Sequence, residues 1–287
     1  MIYELLKVQV LMLGPSVLFG LILLGFAFRP KKQENAVRDG SWSISWYFAI
    51  GYALAYWRIE GTPPFAPKES WQWLCALSLF SGMCGFGLLV QKKQFWTSTG
   101  MAGVLAILSG YLLVPEFQTP IYGWRFGIGA LIFILWIALQ KLSERRSGAM
   151  IPLLWSFTYL GASIILMQAG IAKFAQFSGL IALLAGFTFL VVLRLDSLSF
   201  ASGASYPLSV LLVGLLANGY FNHFSTTPTL CFFGIIFAPL FAWIGQISFL
   251  AGLSKWKRLV MEMIFPLLVL SLFCWIALQQ PATESLY

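Results

Sequence analysis

Lys173 interrupts an apolar stretch that runs from about Met150 to Leu193, and Glu262 lies just inside a later one, four residues after Arg258. A charge at the centre of a bilayer is costly, so intramembrane ionisable groups mark proton relays, ion pathways or counter-ions. Lys173 therefore has two readings. It is a buried, paired ammonium with a task, or it sits at an outer turn from which its long stem carries the charge to water. The apolar runs on both sides of it favour the turn. Glu262 reads as the i, i+4 partner of Arg258 at the inner interface; a proton-coupling carboxylate is the sharper alternative.

A second group of candidates is hydroxylic. Ser45, Tyr52 and Tyr56 recur at i, i+7 and i+11 and share one helix face. Hydroxyls at membrane depth need partners or water. They line a cavity or bond to neighbouring helices. Beyond them comes the link Trp57-Arg58-Ile59-Glu60-Gly61-Thr62-Pro63-Pro64-Phe65-Ala66-Pro67-Lys68-Glu69-Ser70-Trp71. Each proline fixes its own φ and restricts its predecessor, so the link is stiff and non-helical. Pro67 suits the first position of the next helix and Glu69 its first turn, where the dipole favours an anion. Trp57, Trp71 and Trp73 suit the interfacial belt. The functional reading is a lid over a cavity, with Arg58 or Glu60 turned toward the bundle.

Catalysis by recognised machinery is not expected. His223 is the only histidine, and no carboxylate lies between Asp196 and Glu262 to complete a metal site with it. Cys75, Cys84, Cys231 and Cys274 all fall in apolar runs and form no CxxC pair, so they read as small buried hydrophobes. Neither HExxH nor GxSxG is present. No cofactor and no metal is implied.

The residues Gly61, Pro63, Pro64, Pro67 and Glu69 form a G-x-P-P-x-x-P-x-E pattern running into an aromatic-rich helix. In this the chain resembles a set of uncharacterised bacterial multi-pass inner-membrane proteins. The resemblance covers about a tenth of the chain and implies a bacterial inner-membrane location. It implies no activity.

The elements that must position these residues follow from composition. The chain has 287 residues, 59% hydrophobic and 10% charged, with a mean hydropathy of +0.83. Soluble domains carry about 25% charged residues. A spanning helix needs about 20 mostly apolar residues. Ten stretches meet or approach that length, at 8–28, 42–57, 71–90, 97–114, 122–140, 150–172, 175–193, 203–220, 230–252 and 259–279. The first, with Pro15 inside it, reads as a retained helix because its n-region has no positive bias and no A-x-A site follows. Of the 18 basic residues, thirteen fall in one set of alternate links and five in the other: Lys7, Arg58, Lys68, Arg125 and Lys173. By the positive-inside rule the thirteen are cytoplasmic and both termini are outside. The expected fold is thus an all-α polytopic transmembrane bundle of about ten spans, a single integral membrane domain over residues 1–287. Gly123 with Gly127, and Ala182 with Gly186, have the small-xxx-small spacing that lets helices approach closely.

The net charge of +8 does not indicate nucleic acid, because the basic residues sit a few at a time in the links rather than in an aromatic-interleaved stripe. The expected partner is the lipid bilayer, with a small-molecule substrate or other membrane proteins beside it. Small-molecule transport or binding near the first three spans is the leading expectation. A non-transporting membrane subunit or assembly factor is the alternative.

Overall fold

The computed structural model describes residues 41–90, 95–145, 149–194, 203–223, 225–246 and 255–280. Among these residues every regular element is helical. In chain order they are α1 (Ser41–Glu60), a 3₁₀ turn (Ser70–Gln72), α2 (Trp73–Val90), α3 (Phe95–Leu113), α4 (Ile121–Arg145), α5 (Met150–Gln168), α6 (Ala172–Arg194), α7 (Ser205–Asn222), α8 (Thr229–Phe237), a 3₁₀ stretch (Ala238–Gln246) and α9 (Lys255–Leu278). The second to tenth apolar stretches of the sequence each coincide with a helical segment. The first, with Pro15, lies outside the described residues, as do the side chains of Gln246 and Arg258.

Three boundaries differ from expectation, each for a local reason. Pro67 does not open α2. The chain remains non-helical through it, Glu69 adopts β geometry at φ −112° and ψ 145°, and a 3₁₀ turn intervenes before Trp73. The Gln72 carboxamide oxygen accepts from the backbone N–H groups of Lys68 and Glu69, holding that turn. The stretch expected to continue to 172 ends at Gln168, because Gly170 turns the chain at φ +80° and Ile171 then bonds back to Leu166. That left-handed conformation favours glycine. The stretch at 230–252 divides where Pro239 removes an N–H, and 3₁₀ geometry follows.

Helix α7 occupies the centre. It packs against α1 through α6 and α8, and sixteen residues of it are buried, among them Ser205, Ser209 and Asn218. A helix screened on all sides by protein does not have to be apolar all round. Asn218 gives its amide N–H to the Gly214 carbonyl at 2.9 Å, and Ser209 its hydroxyl to Ser205 at 2.7 Å. The pairs α1/α2, α3/α4 and α5/α6 surround α7, while α8, the 3₁₀ stretch and α9 lie against α5. The three-residue connector between α5 and α6 leaves them no geometry but an antiparallel hairpin.

Close packing and cross-helix hydroxyl bonds join these elements. Gly110 of α3 meets the backbone of α4: a Cβ there would stand 2.2 Å from the Arg125 carbonyl oxygen and 2.7 Å from the Gly129 nitrogen. This is the small-residue crossing that the spacing rule anticipates, but at other glycines. Gly123 meets only the Pro120 ring and Gly127 has nothing within 4 Å, so the pair picked out by spacing faces no helix. Ala182 and Gly186 do face one: Ser156 of α5 donates to the Ala182 carbonyl at 2.8 Å and lies 3.4 Å from a Cβ position on Gly186. Further donations cross from Ser163 to Ala175, Ser178 to Tyr159, Tyr159 to Leu208, Ser45 to Gly82 and Tyr47 to Leu184. Such bonds each contribute about 0.6 kcal/mol in membrane bundles.

Among the described residues four helices are long and apolar enough to cross a membrane: Ile121–Arg145, Met150–Gln168, Ala172–Leu193 and Leu259–Leu278. Of these four, the most apolar, α9, is the least buried, whereas the least apolar, α5, is the most buried. A water-soluble fold would bury its most apolar helix. Exposed Phe80, Val104, Leu160, Leu190, Leu268 and Trp275 form a surface suited to hydrocarbon. These features are those of a membrane protein.

Candidate functional site

One end of the bundle carries most of the polar side chains that the sequence singles out. The connection 61–72, the α3–α4 link, the α5–α6 turn and the α7–α8 link meet there. Ser70 donates to Asn218 Oδ1 at 2.6 Å, and Trp124 packs on Tyr220, Phe221 and Phe233 at 5.4–5.8 Å between ring centroids.

Trp71 organises this end. It is 8% exposed although it lies in a turn. Its indole N–H donates to the Glu69 carboxylate. Its ring takes Lys173 Nζ on one face, 4.0 Å from the centroid, and neighbours Tyr56 at 5.7 Å and Phe174 at 6.1 Å. Lys173 is therefore held from two sides, because Glu60 Oε1 lies 3.0 Å from the same nitrogen. Indole is the best cation–π acceptor among side chains. Lys173 stands in the first turn of α6, with its side chain 38% exposed, and Glu60 is the last residue of α1, at 22%. Lys173 thus lies just inside α6, after the 169–171 turn rather than in it, together with a partner that the sequence does not indicate.

Below Trp71 the aromatic stack continues inward. Tyr56 stacks on Phe177 at 6.1 Å and 5°, and Tyr52 meets the same ring at 5.3 Å. Both tyrosines are buried. Ser45, on their helix face, gives its hydroxyl to the Gly82 carbonyl at 3.1 Å, which is the neighbour-bonding alternative. Tyr52 differs: its hydroxyl is buried and has no hydrogen-bond partner. The structure thus joins Tyr52, Tyr56, Glu60 and Lys173 through Trp71 and Phe177. Arg58 does not join them, because its side chain is exposed on the other face of the last turn of α1. Glu262 is 4% exposed near the start of α9, toward the opposite end of the bundle. His223 caps α7, stacked on Tyr220 at 5.5 Å and tilted against Phe232 at 5.2 Å.

Beside this clasp of Trp71, Lys173 and Glu60 lies a cleft of about 450 Å³, lined by Lys68, Glu69, Ser70, Trp71 and Trp73 from the connection and α2, by Tyr111 and Leu112 from α3, by Val114 to Phe117 from the α3–α4 link, and by Arg125 and Asn222. Trp71 is common to clasp and cleft. Arg125 was legible in the sequence only as a link charge, and Tyr111 carried no signal of its own. They meet because the Gly110 crossing brings their helices into backbone contact. No His, Cys, Asp and Glu grouping that could hold a metal occurs among the described residues. No family model, curated protein or solved structure matches this chain.

Proposed function

We propose that this chain is a ten-span protein of the bacterial inner membrane, one integral domain with both termini outside, that binds a small molecule at its Trp71 end as the entry step of transport. The observation that carries the binding reading is the double use of Trp71. The residue that walls the cleft is also the one tied to α1 and α6 through Lys173 and Glu60. Filling the cleft would bear on the clasp, and opening the clasp would reshape the cleft. The stiff 61–72 connection supports a lid role because it carries Lys68 to Trp71 as one rigid piece. Sidedness rests on the thirteen-to-five distribution of basic residues, which puts Lys68, Arg125 and Lys173 outside. The inner-membrane location rests on the resemblance carried by the Gly61–Glu69 pattern.

A non-transporting subunit or assembly factor is the second reading. It is favoured by the filled centre around α7, where a Cβ on Gly214 would stand 2.4 Å from Leu74 and one on Gly219 2.2 Å from Leu166.

Two measurements test these readings. The purified full chain in detergent is melted against a library of small metabolites, alongside Trp71→Ala. Compounds that raise the melting temperature of the wild type but not of the variant support binding at the cleft. A library without a single stabilising compound removes the binding reading and leaves the subunit. For topology, single cysteines at Lys68 and Thr227 should react with an impermeant thiol reagent in intact cells, and those at Lys32, Lys93 and Arg146 only after lysis. A protected Thr227 alongside a protected Lys32 refutes the ten-span arrangement.

A further inference from the structure

The cleft contains an arginine that protein groups do not fully satisfy. Arg125 lies in the first turn of α4 with its guanidinium carbon 4.0 Å above the Tyr111 ring. Its Nε is buried and has no hydrogen-bond partner. A stacked guanidinium has its flat face covered and its in-plane N–H groups directed sideways, the arrangement that meets two oxygens of a carboxylate or phosphate at once. Two carboxylates share the cleft, yet neither neutralises this charge. Glu69 accepts the Trp71 indole N–H, Glu116 is exposed at the rim, and no ion pair joins either to Arg125 among the described residues. Lys68, the other cation of the cleft, is exposed. Around these groups Trp71, Trp73, Tyr111 and Phe117 supply flat apolar walls.

We propose that the cleft recognises an oxyanion, carboxylate or phosphate, attached to a flat or apolar body, with Arg125 as the anion contact and Tyr111 as the platform that orients it. This deepens the binding reading above and rests on it. The cleft opens at an end of the bundle, so the oxyanion has two sources: a free organic anion or the headgroup of an anionic lipid.

The test uses three isosteric probes, benzoate, benzamide and benzylammonium, titrated against the full chain in detergent with melting temperature as readout. In parallel the chain is melted in nanodiscs of phosphatidylcholine with and without phosphatidylglycerol. Benzoate should stabilise and the other two should not. Arg125→Gln should weaken benzoate about tenfold or more, whereas Lys68→Gln, at the exposed rim, should change it within about threefold. Stabilisation by phosphatidylglycerol but not benzoate, lost in Arg125→Gln, upholds the site and assigns the lipid source. If Arg125→Gln does not fold, Arg125→Lys takes its place; it keeps the charge but loses the planar fork, and unchanged affinity there overturns the proposal. Equal stabilisation by benzamide and benzoate overturns the oxyanion assignment while leaving small-molecule binding standing. No response to any probe or lipid, in a chain whose metabolite screen does give stabilising compounds, overturns this inference alone.

Discussion

Replacing Lys173 tests whether the clasp contributes to folding. The Nζ nitrogen makes two contacts, 3.0 Å to Glu60 Oε1 and 4.0 Å to the Trp71 centroid. With the side chains 38% and 22% exposed, the ion pair is partly solvated. Its contribution is discounted accordingly to about 0.2–1 kcal/mol. The cation–π contact adds about 0.5–1 kcal/mol. Lys173→Met, which keeps an apolar stem, should therefore cost about 1–2 kcal/mol, well short of the roughly 3–5 kcal/mol for breaking a fully buried pair. A double-mutant cycle with Glu60→Gln isolates the ion pair, and its coupling should be no more than about 1 kcal/mol. Trp71→Leu on the Lys173→Met background should show the loss of the ring contact already taken. Unfolding in mixed micelles, followed by tryptophan fluorescence, measures each variant. A single-variant loss above about 3 kcal/mol would mean that the pair is sealed from water and the solvation argument is wrong. A coupling indistinguishable from zero in both cycles would mean that Lys173 reaches solvent without either partner.

Two further contrasts probe the packing in the same assay. Gly110→Ala should cost about 1–3 kcal/mol, because the new methyl has only backbone to displace, while Gly127→Ala, facing open space, should be neutral or stabilising by up to about 1 kcal/mol; equal costs would refute the α3–α4 crossing. Tyr52→Phe removes a buried, unpartnered hydroxyl and should be neutral or stabilising by about 1 kcal/mol, whereas Tyr159→Phe loses the bond to Leu208 and should cost about 0.5–1.5 kcal/mol. A loss in Tyr52→Phe as large as that in Tyr159→Phe would show that Tyr52 does have a partner.

The sequence alone determined the helical stretches among the described residues, but not where each one stops. Local chemistry governs the stretches: apolar runs about as long as a bilayer is thick, and a link made stiff by Pro63, Pro64 and Pro67, whereas the stop set by Gly170 emerges only in the structure. The sequence also determined that Lys173 lies near a helix end, because a charge between two apolar runs has no cheaper place. Local rules failed where two non-helical options compete, so Pro67 and Glu69 lead into a 3₁₀ turn closed by Gln72 rather than opening α2. Tertiary structure decided which helix is central. Serines and an asparagine weaken α7 as an apolar stretch, yet it is the most enclosed helix, because its neighbours screen it from the surroundings. Tertiary structure likewise decided that Gly110, and not Gly127, is the crossing point, since small-residue spacing says nothing of which face meets a partner. The partners of Lys173 come from helix ends more than 100 positions away in the chain. The pairing of Arg125 with Tyr111 depends on how two helices cross. Neither arrangement has a sequence signature, because side-chain contacts between helices are set by rotation and depth in the bundle rather than by spacing along the chain.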